Sequence, residues 1–233
     1  MNAYNLRPPC VALLLISTAI LAGCIANDQI TTWVIYPDGS AKFMKIESNV
    51  HSTERGPKGE RELANYISEF EAGRTGDHLR MKEAGGQLLE SRWLNDSEPR
   101  ANLMVVTFPA AAALERAMSL QDENGHAVVT AKLIFDGSKR RLQWTVNIPP
   151  SESTDTTRGE PEQVPSYRSV RTAQANGISE TRIAITGGKI RDARGFLVAS
   201  DSQSALLELS TVAELIRLGK PFDLFLEWEL TEN

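Results

Sequence analysis

The stretch Phe222 to Leu230, FDLFLEWEL, alternates almost without a break. Phe222, Leu224, Leu226, Trp228 and Leu230 fall on one side of an extended chain, and Asp223, Glu227 and Glu229 on the other, with Phe225 the exception. A period of two marks a strand with one buried and one wet face. The same alternation recurs at Leu142, Trp144, Val146 and Ile148, separated by Gln143, Thr145 and Asn147. Such strands need antiparallel partners, and Asp-Gly pairs supply the turns. TTWVIYPDGSAKFMKIE, 31–47, reads as one hairpin around Asp38-Gly39, and HAVVTAKLIFDGSKRRLQWTVNI, 126–148, as a second around Asp136-Gly137. The flanks of the two Asp-Gly-Ser triplets do not align, so they are two uses of one turn chemistry rather than an internal repeat.

Helical periodicity is interleaved. In ERELANYISEFEA, Leu63, Tyr66, Ile67 and Phe70 lie at i, i+3, i+4 and i+7 on one face, with Arg61, Glu62, Asn65 and Glu69 opposite. GRTGDHLRMKEAGG reads as a loop with one short helix. QLLESRWLN and ANLMVVTFP read as strands joined by a polar turn. AAAALERAMS is a strong helix former, with Pro109 tolerated in its first turn. Beyond these, ETRIAITGGKI predicts a strand and a Gly-Gly turn, and GFLVASD and ALLEL predict further strands. TVAELIRLGKP predicts a helix with a capping box from Thr211 to Glu214. The expected class is α+β, with hairpin-rich antiparallel sheets packed by about three helices.

The amino terminus is different. MNAYNLRPP carries Arg7 and no acid, and VALLLISTAILA, 11–22, is a continuous apolar run ending in Gly23-Cys24. A basic start, about a dozen apolar residues and small residues before a cut site form a secretory signal, too short for a span of about 20 residues. LAGC resembles the lipobox of bacterial lipoproteins at all four positions. The resemblance implies a cut between Gly23 and Cys24, a diacylglycerol thioether on Cys24 and acylation of the new amino terminus. Two or three acyl chains anchor stably where one is marginal. Cys10 would leave with 1–23, so the mature chain would hold no thiol outside the anchor and no disulfide. In diderm bacteria an Asp after the cysteine holds a lipoprotein in the inner membrane. Ile25 stands there, so the resemblance favours the outer membrane.

Removing 1–23 leaves about 210 residues and shifts the net charge from −5 to about −6. That acidity argues against nucleic-acid binding, which wants a basic face. No second apolar run approaches spanning length. The expected organisation is a signal peptide at 1–23, an α+β region at 24–148, a segment at 149–165, and an α+β region at 166–233 that joins the first or stands apart. PPSESTDTTRGEPEQVP, 149–165, is rich in Pro, Ser, Thr and acids, and reads as a flexible linker or loop.

The order of pieces also resembles the LppM-type bacterial lipoproteins. It runs from a lipobox to a hairpin at YPDGSAKF, then a helix and further strands, then IAITGGKIRDARGF near the end. Gly187-Gly188 stands where members commonly have Pro-Gly, and no apolar tail follows Leu230, where members often carry a membrane segment. The resemblance implies an α+β domain that binds lipid or glycolipid and has no enzymatic activity.

Catalytic patterns are sparse. His51, His78 and His126 show no metal-ligand spacing, Gly-x-Ser-x-Gly is absent, and so are the phosphate-binding glycine motifs. Glu227 and Glu229 share a strand face as a solvated pair, or as an acid/base pair if one is desolvated. Lys139, Arg140 and Arg141 follow the second Asp-Gly turn. They are candidates for headgroup contact, at about 1 kcal/mol per cation near an anionic surface, or guards of an edge strand. The sequence therefore predicts a non-enzymatic cell-envelope protein, tethered to the membrane through Cys24, with no cofactor and no metal. It binds an envelope partner or an apolar, lipid-like ligand. An assembly role without a small ligand and an envelope hydrolase are the alternatives. An apolar pocket would favour the carrier and an exposed apolar patch the assembly role.

Overall fold

The computed structural model describes residues 25–121, 125–147, 179–217 and 220–231. Cys24, the expected signal peptide at 1–23 and the expected linker at 149–165 lie outside these residues. The class is α+β, as the alternation predicts. Strand β1 (Ile25–Ile35) turns through Asp38-Gly39 into β2 (Ala41–Ser52). Gly39 has φ +83°, and the Asp38 carboxylate accepts hydrogen bonds from the Ser40 N–H at 2.9 Å and the Ser40 hydroxyl at 2.7 Å. Helix α1 (Gly56–Glu71) starts earlier than its apolar periodicity suggests, because Pro57 is accommodated in the first turn. Next come α2 (Gly76–Glu83), β3 (Gln87–Asn95), β4 (Arg100–Phe108) and α3 (Ala111–Met118). Pro109 precedes the N-cap of α3, Ala110, and is not in its first turn.

The short β5 (Leu120–Gln121) leads to the second hairpin, β6 (Ala127–Asp136) and β7 (Lys139–Val146). The remaining elements are β8 (Ser179–Ile185), β9 (Gly188–Arg194), β10 (Phe196–Val198), β11 (Ser204–Leu207), α4 (Leu209–Arg217) and β12 (Phe222–Leu230). The expected capping box of α4 does not form. The helix begins two residues before Thr211, and the Thr211 hydroxyl donates instead to Glu208 Oε2 at 2.8 Å. Glu208, just ahead of the helix, also accepts the Val212 N–H on its carbonyl at 3.1 Å.

Two sheets result. The larger has the order β10-β11-β8-β1-β2-β4-β3, and the smaller the order β5-β6-β7-β12-β9. Pairing is antiparallel except for β1 with β8, which run parallel in register from Gln29↔Ser179 to Ile35↔Ile185. Strands from before and after residues 148–178 share both sheets, since β8 lies beside β1 and β12 beside β7. β12 is an interior strand, with Leu224, Leu226 and Trp228 buried as its alternation requires. One continuous core includes Trp33, Ile35, Phe43 and Phe108 of the large sheet. Leu142, Leu226 and Trp228 of the small sheet and Leu114 of α3 belong to it as well.

The turns gather at one end. A Cβ on Gly39 would meet the Phe135 ring at 2.7 Å, and one on Gly187 would meet Pro37 at 3.0 Å. The Leu230 N–H donates to Ser138 O at 2.9 Å, and the Thr231 N–H to Gly187 O at 3.0 Å. Ile25 lies at the far end of β1, about 33 Å away at ~3.3 Å per residue. The two Asp-Gly-Ser hairpins are thus neighbours at the end opposite the start of β1.

Candidate functional site

The inner face of the large sheet changes character along its strands. Toward the turns it is apolar: Trp33 and Ile35 on β1, Ala41 and Phe43 on β2, Val106 and Phe108 on β4. Toward Ile25 the same alternating positions carry Gln29, Thr31, Lys45, Glu47 and Asn102, and the last four are buried. The apolar half is covered by the small sheet and α3, while α1 and α2 lie over the polar half.

Lys45, Glu47 and Asn102 join Tyr66 and Asp77 in one network, while the Thr31 hydroxyl accepts from Gln29 Nε2 at 3.2 Å. Lys45 Nζ lies 2.6 Å from Glu47 Oε1 and also donates to Asp77 Oδ2, from the first turn of α2. Glu47 Oε2 accepts from the Tyr66 hydroxyl of α1 and from Asn102 Nδ2 at 2.9 Å. Asn102 Nδ2 also reaches the Tyr66 oxygen at 3.2 Å. The charges of Lys45, Glu47 and Asp77 are therefore all partnered, as burial demands. Burial opposes the charge on Lys45, but the Glu47 and Asp77 carboxylates outweigh it and hold the ammonium above its ordinary pKa. Burial likewise opposes ionisation of Glu47 and Asp77. Lys45, together with Tyr66 and Asn102 at Glu47 and with Arg80 at Asp77, outweighs it, so both carboxyls sit below their usual range. Burial, reinforced by the Glu47 charge, pushes the Tyr66 phenol up. Chemically this is a fixed set of charges: each group is driven away from the neutral range in which a general acid or base works.

His78 belongs to the same region. Its Nδ1 is 2.6 Å from Thr75 Oγ1, its Nε2 is 3.0 Å from Ser91 Oγ, and its ring meets Phe70 edge-on at 5.4 Å. Burial lowers its pKa. Among the described residues no group of His, Cys, Asp and Glu could hold a metal ion, and no helix is long and apolar enough to cross a membrane.

Two cavities flank the network. One, of about 120 Å³, lies between the sheets, with Trp33, Phe43, Met118, Val129, Trp144 and Leu224 in its wall. The other, of about 240 Å³, includes Ile25, Asn27, Tyr66, Phe70, His78 and Met104 in its lining. Lys45, Asp77 and Arg80 belong to both walls. Arg80 is the loosely held member. Its Nη2 is 3.6 Å from Asp77 Oδ1, its Nη1 is 3.5 Å from Ala117 O, and its Nε is buried without an acceptor. In the inter-sheet cavity Trp144 Nε1 is likewise buried without an acceptor. Both orphaned groups are donors.

The residues singled out in the sequence lie elsewhere. Lys139, Arg140 and Arg141 sit at the turn end. β7 is an interior strand between β6 and β12, so the edge-guard reading of these cations is wrong. Arg140 lies over the Phe135 ring at 4.8 Å and Arg141 over the Phe225 ring at 4.0 Å. That contact accounts for Phe225, the outward-facing exception in β12. Glu227 is opposite Arg141. Glu229 is opposite Lys139, with Arg191 Nε at 3.4 Å. The two glutamates thus face cations rather than a cleft. The network at Lys45, Glu47, Asp77 and Arg80 was missed by sequence reasoning. Its signal was an acid and a base on the same side of β2 as Ala41 and Phe43.

No family model matches this sequence, and no curated protein matches it. Among solved structures, the chain is similar to the NMR structure of the folded domain of the Mycobacterium tuberculosis LppM protein. Identity is 12% and the TM-score 0.42, over 93% of this chain and 96% of that one. At that level of likeness, function is argued from this chain's own residues.

Proposed function

We propose that the protein is a cell-envelope lipoprotein, anchored through Cys24, that binds a single-chain amphiphile between its two sheets and catalyses no reaction. The observation that carries this reading is the inter-sheet cavity. Its wall is aromatic and aliphatic on one side and polar on the other, where Gln29, Thr31, Lys45 and Asp77 stand, and two buried donors in it, Arg80 Nε and Trp144 Nε1, lack acceptors. A mixed apolar and polar lining suits an amphiphile; at about 120 Å³ this cavity takes only part of an acyl chain, and the rest would extend past the shared Lys45, Asp77 and Arg80 into the cavity of about 240 Å³. Orphaned donors select a ligand that brings oxygen acceptors, such as a carboxylate or a phosphate ester. The fixed charges around Lys45 support a binding role over a catalytic one. The position of β1 supports the anchor: it begins at Ile25, next to Cys24, and Ile25 lines the second cavity. An acylated Cys24 would hold that cavity close to the bilayer from which an amphiphile is drawn.

The test is titration of full-length protein carrying Cys24→Ala with palmitate, followed by native mass spectrometry and tryptophan fluorescence. The expected result is saturable one-to-one binding, weakened about tenfold or more by Arg80→Gln, since a charge-assisted hydrogen bond contributes ~1.5–3 kcal/mol. Palmitate that does not bind, or binds in many copies without saturation, would refute the proposal.

A further inference from the structure

The outer edge of the large sheet carries a second feature. β3 pairs with β4 along one edge, and no strand lies beside its other edge among the described residues. It exposes three leucines: Leu88 at 49%, Leu89 at 60% and Leu94 at 44%. Sheet proteins seldom leave an apolar edge of this kind open, because its unpaired backbone is a template for another strand.

The order of residues on β3 specifies which strand would fit. The strand reads Gln87-Leu88-Leu89-Glu90-Ser91-Arg92-Trp93-Leu94-Asn95. About Ser91 it is self-complementary. Glu90 mirrors Arg92, Leu89 mirrors Trp93, Leu88 mirrors Leu94, and Gln87 mirrors Asn95. In an antiparallel pair of identical strands with a two-fold axis at Ser91, mirrored residues lie directly opposite each other. The central pair, acid on base, lies inside the regular stretch and is favourable; the apolar and amide pairs flank it across the register shifts at Leu88/Glu90 and Trp93/Asn95. Glu90 and Arg92 already attract each other within one chain and share a face of the strand, with side chains 42% and 55% exposed. Across the axis the same groups make a quartet of alternating sign. The register shifts against β4 fall at Leu88/Glu90 and at Trp93/Asn95, so Glu90 to Trp93 is the regular stretch and contains the axis.

We propose that β3 pairs with β3 of a second copy of this chain, joining two large sheets into one across a two-fold axis at Ser91. The occupant is a second copy because the charge order is complementary to itself. This pairing is independent of the ligand cavity, which lies on the inner face of the sheet. Since the paired strands are antiparallel, the two Ile25 residues lie at opposite ends of the joined sheet. Anchors at both would hold that sheet along a bilayer rather than upright.

The experiment is sedimentation velocity of the full-length chain carrying Cys24→Ala, in mild detergent, over a wide concentration range. Three further variants are compared: Arg92→Glu, Glu90→Arg, and the double exchange. The unsubstituted edge is expected to give a concentration-dependent dimer. Each single reversal places like charges opposite one another and should raise the dimer dissociation constant at least about tenfold. The double exchange keeps the mirror relation and should restore the dimer. Circular dichroism verifies that the exposed substitutions leave the fold intact. A chain that stays monomeric at every concentration would overturn the proposal and leave the edge to a different partner. Association that persists unchanged in both single variants would also overturn it.

Discussion

Replacing Lys45 with methionine removes the cation at the centre of the buried network while keeping most of its volume. In the native chain Nζ serves Glu47 at 2.6 Å and Asp77 through a direct hydrogen bond, and both acids are largely out of water. Without it, two carboxylates remain in a site that disfavours their charge. Breaking a buried pair by deleting one partner costs ~3–5 kcal/mol. Here Glu47 keeps the Tyr66 and Asn102 donors, and Asp77 keeps Arg80 at 3.6 Å, so a loss of about 3 kcal/mol at pH 7 is expected. The pH dependence is a sharper signature. In the native protein both carboxyls titrate below their unfolded values. Their contribution is complete above the unfolded range and is lost as pH falls through the folded values. Acid therefore weakens the native fold. In Lys45→Met, burial dominates and raises the carboxyls above their unfolded values. Protonation then relieves the fold, and stability increases as pH drops from about 7 toward about 4. Urea denaturation followed by tryptophan fluorescence across that range measures both effects. A loss under about 1 kcal/mol at pH 7, or a pH slope of unchanged sign, would refute the account of this network.

Further outcomes follow from single contacts. Glu115 Oε1 accepts the Leu133 N–H at 2.8 Å where the β5 pairing has ended, so Glu115→Ala should cost about 1–3 kcal/mol in urea denaturation. A Cβ at Gly86 would lie 2.6 Å from Val106 Cγ1 and 2.7 Å from Met81 O, so Gly86→Ala should lower the melting temperature although its φ is ordinary. Leu114 is fully buried beneath the small sheet, and Leu114→Ala should cost about 2–5 kcal/mol. Native protein extracted from membranes should have the mass of a chain beginning at an acylated Cys24. Cys24→Ala should lose both the added mass and the membrane attachment.

The strands were legible because each crosses one wet and one dry environment, which imposes the period of two. β12, β7 and the α1 face could be read directly for that reason. The buried network was hidden by the same rule. On β2, Ala41 and Phe43 share a face with Lys45 and Glu47, while Ile46 on the other face is 37% exposed. A charged residue at an alternating position ordinarily marks solvent, and only the α1 and α2 cover reverses its meaning. Asp77 completes the network from the first turn of an eight-residue helix, far from β2 in sequence, where no periodicity announces it. The pairing of β1 with β8 spans about 150 residues, and nothing local encodes a parallel neighbour. The self-complementary order of β3, by contrast, stands in the sequence itself. It gains meaning only once the strand is placed at an edge.

The most direct measurement of the central claim is quenching by palmitate brominated along its chain. Trp33 and Trp144 line the inter-sheet cavity, whereas Trp93 packs on Tyr66 and Phe70, and Trp228 does not border the cavity. Saturable quenching is predicted for the unsubstituted protein; Trp33→Phe/Trp144→Phe removes the Trp144 donor and should bind the unbrominated lipid more weakly, and at lipid concentrations that saturate it the fluorescence of the other two tryptophans should stay unquenched. Quenching that persists in the double variant would place the acyl chain elsewhere, and the cavity would not be the binding site.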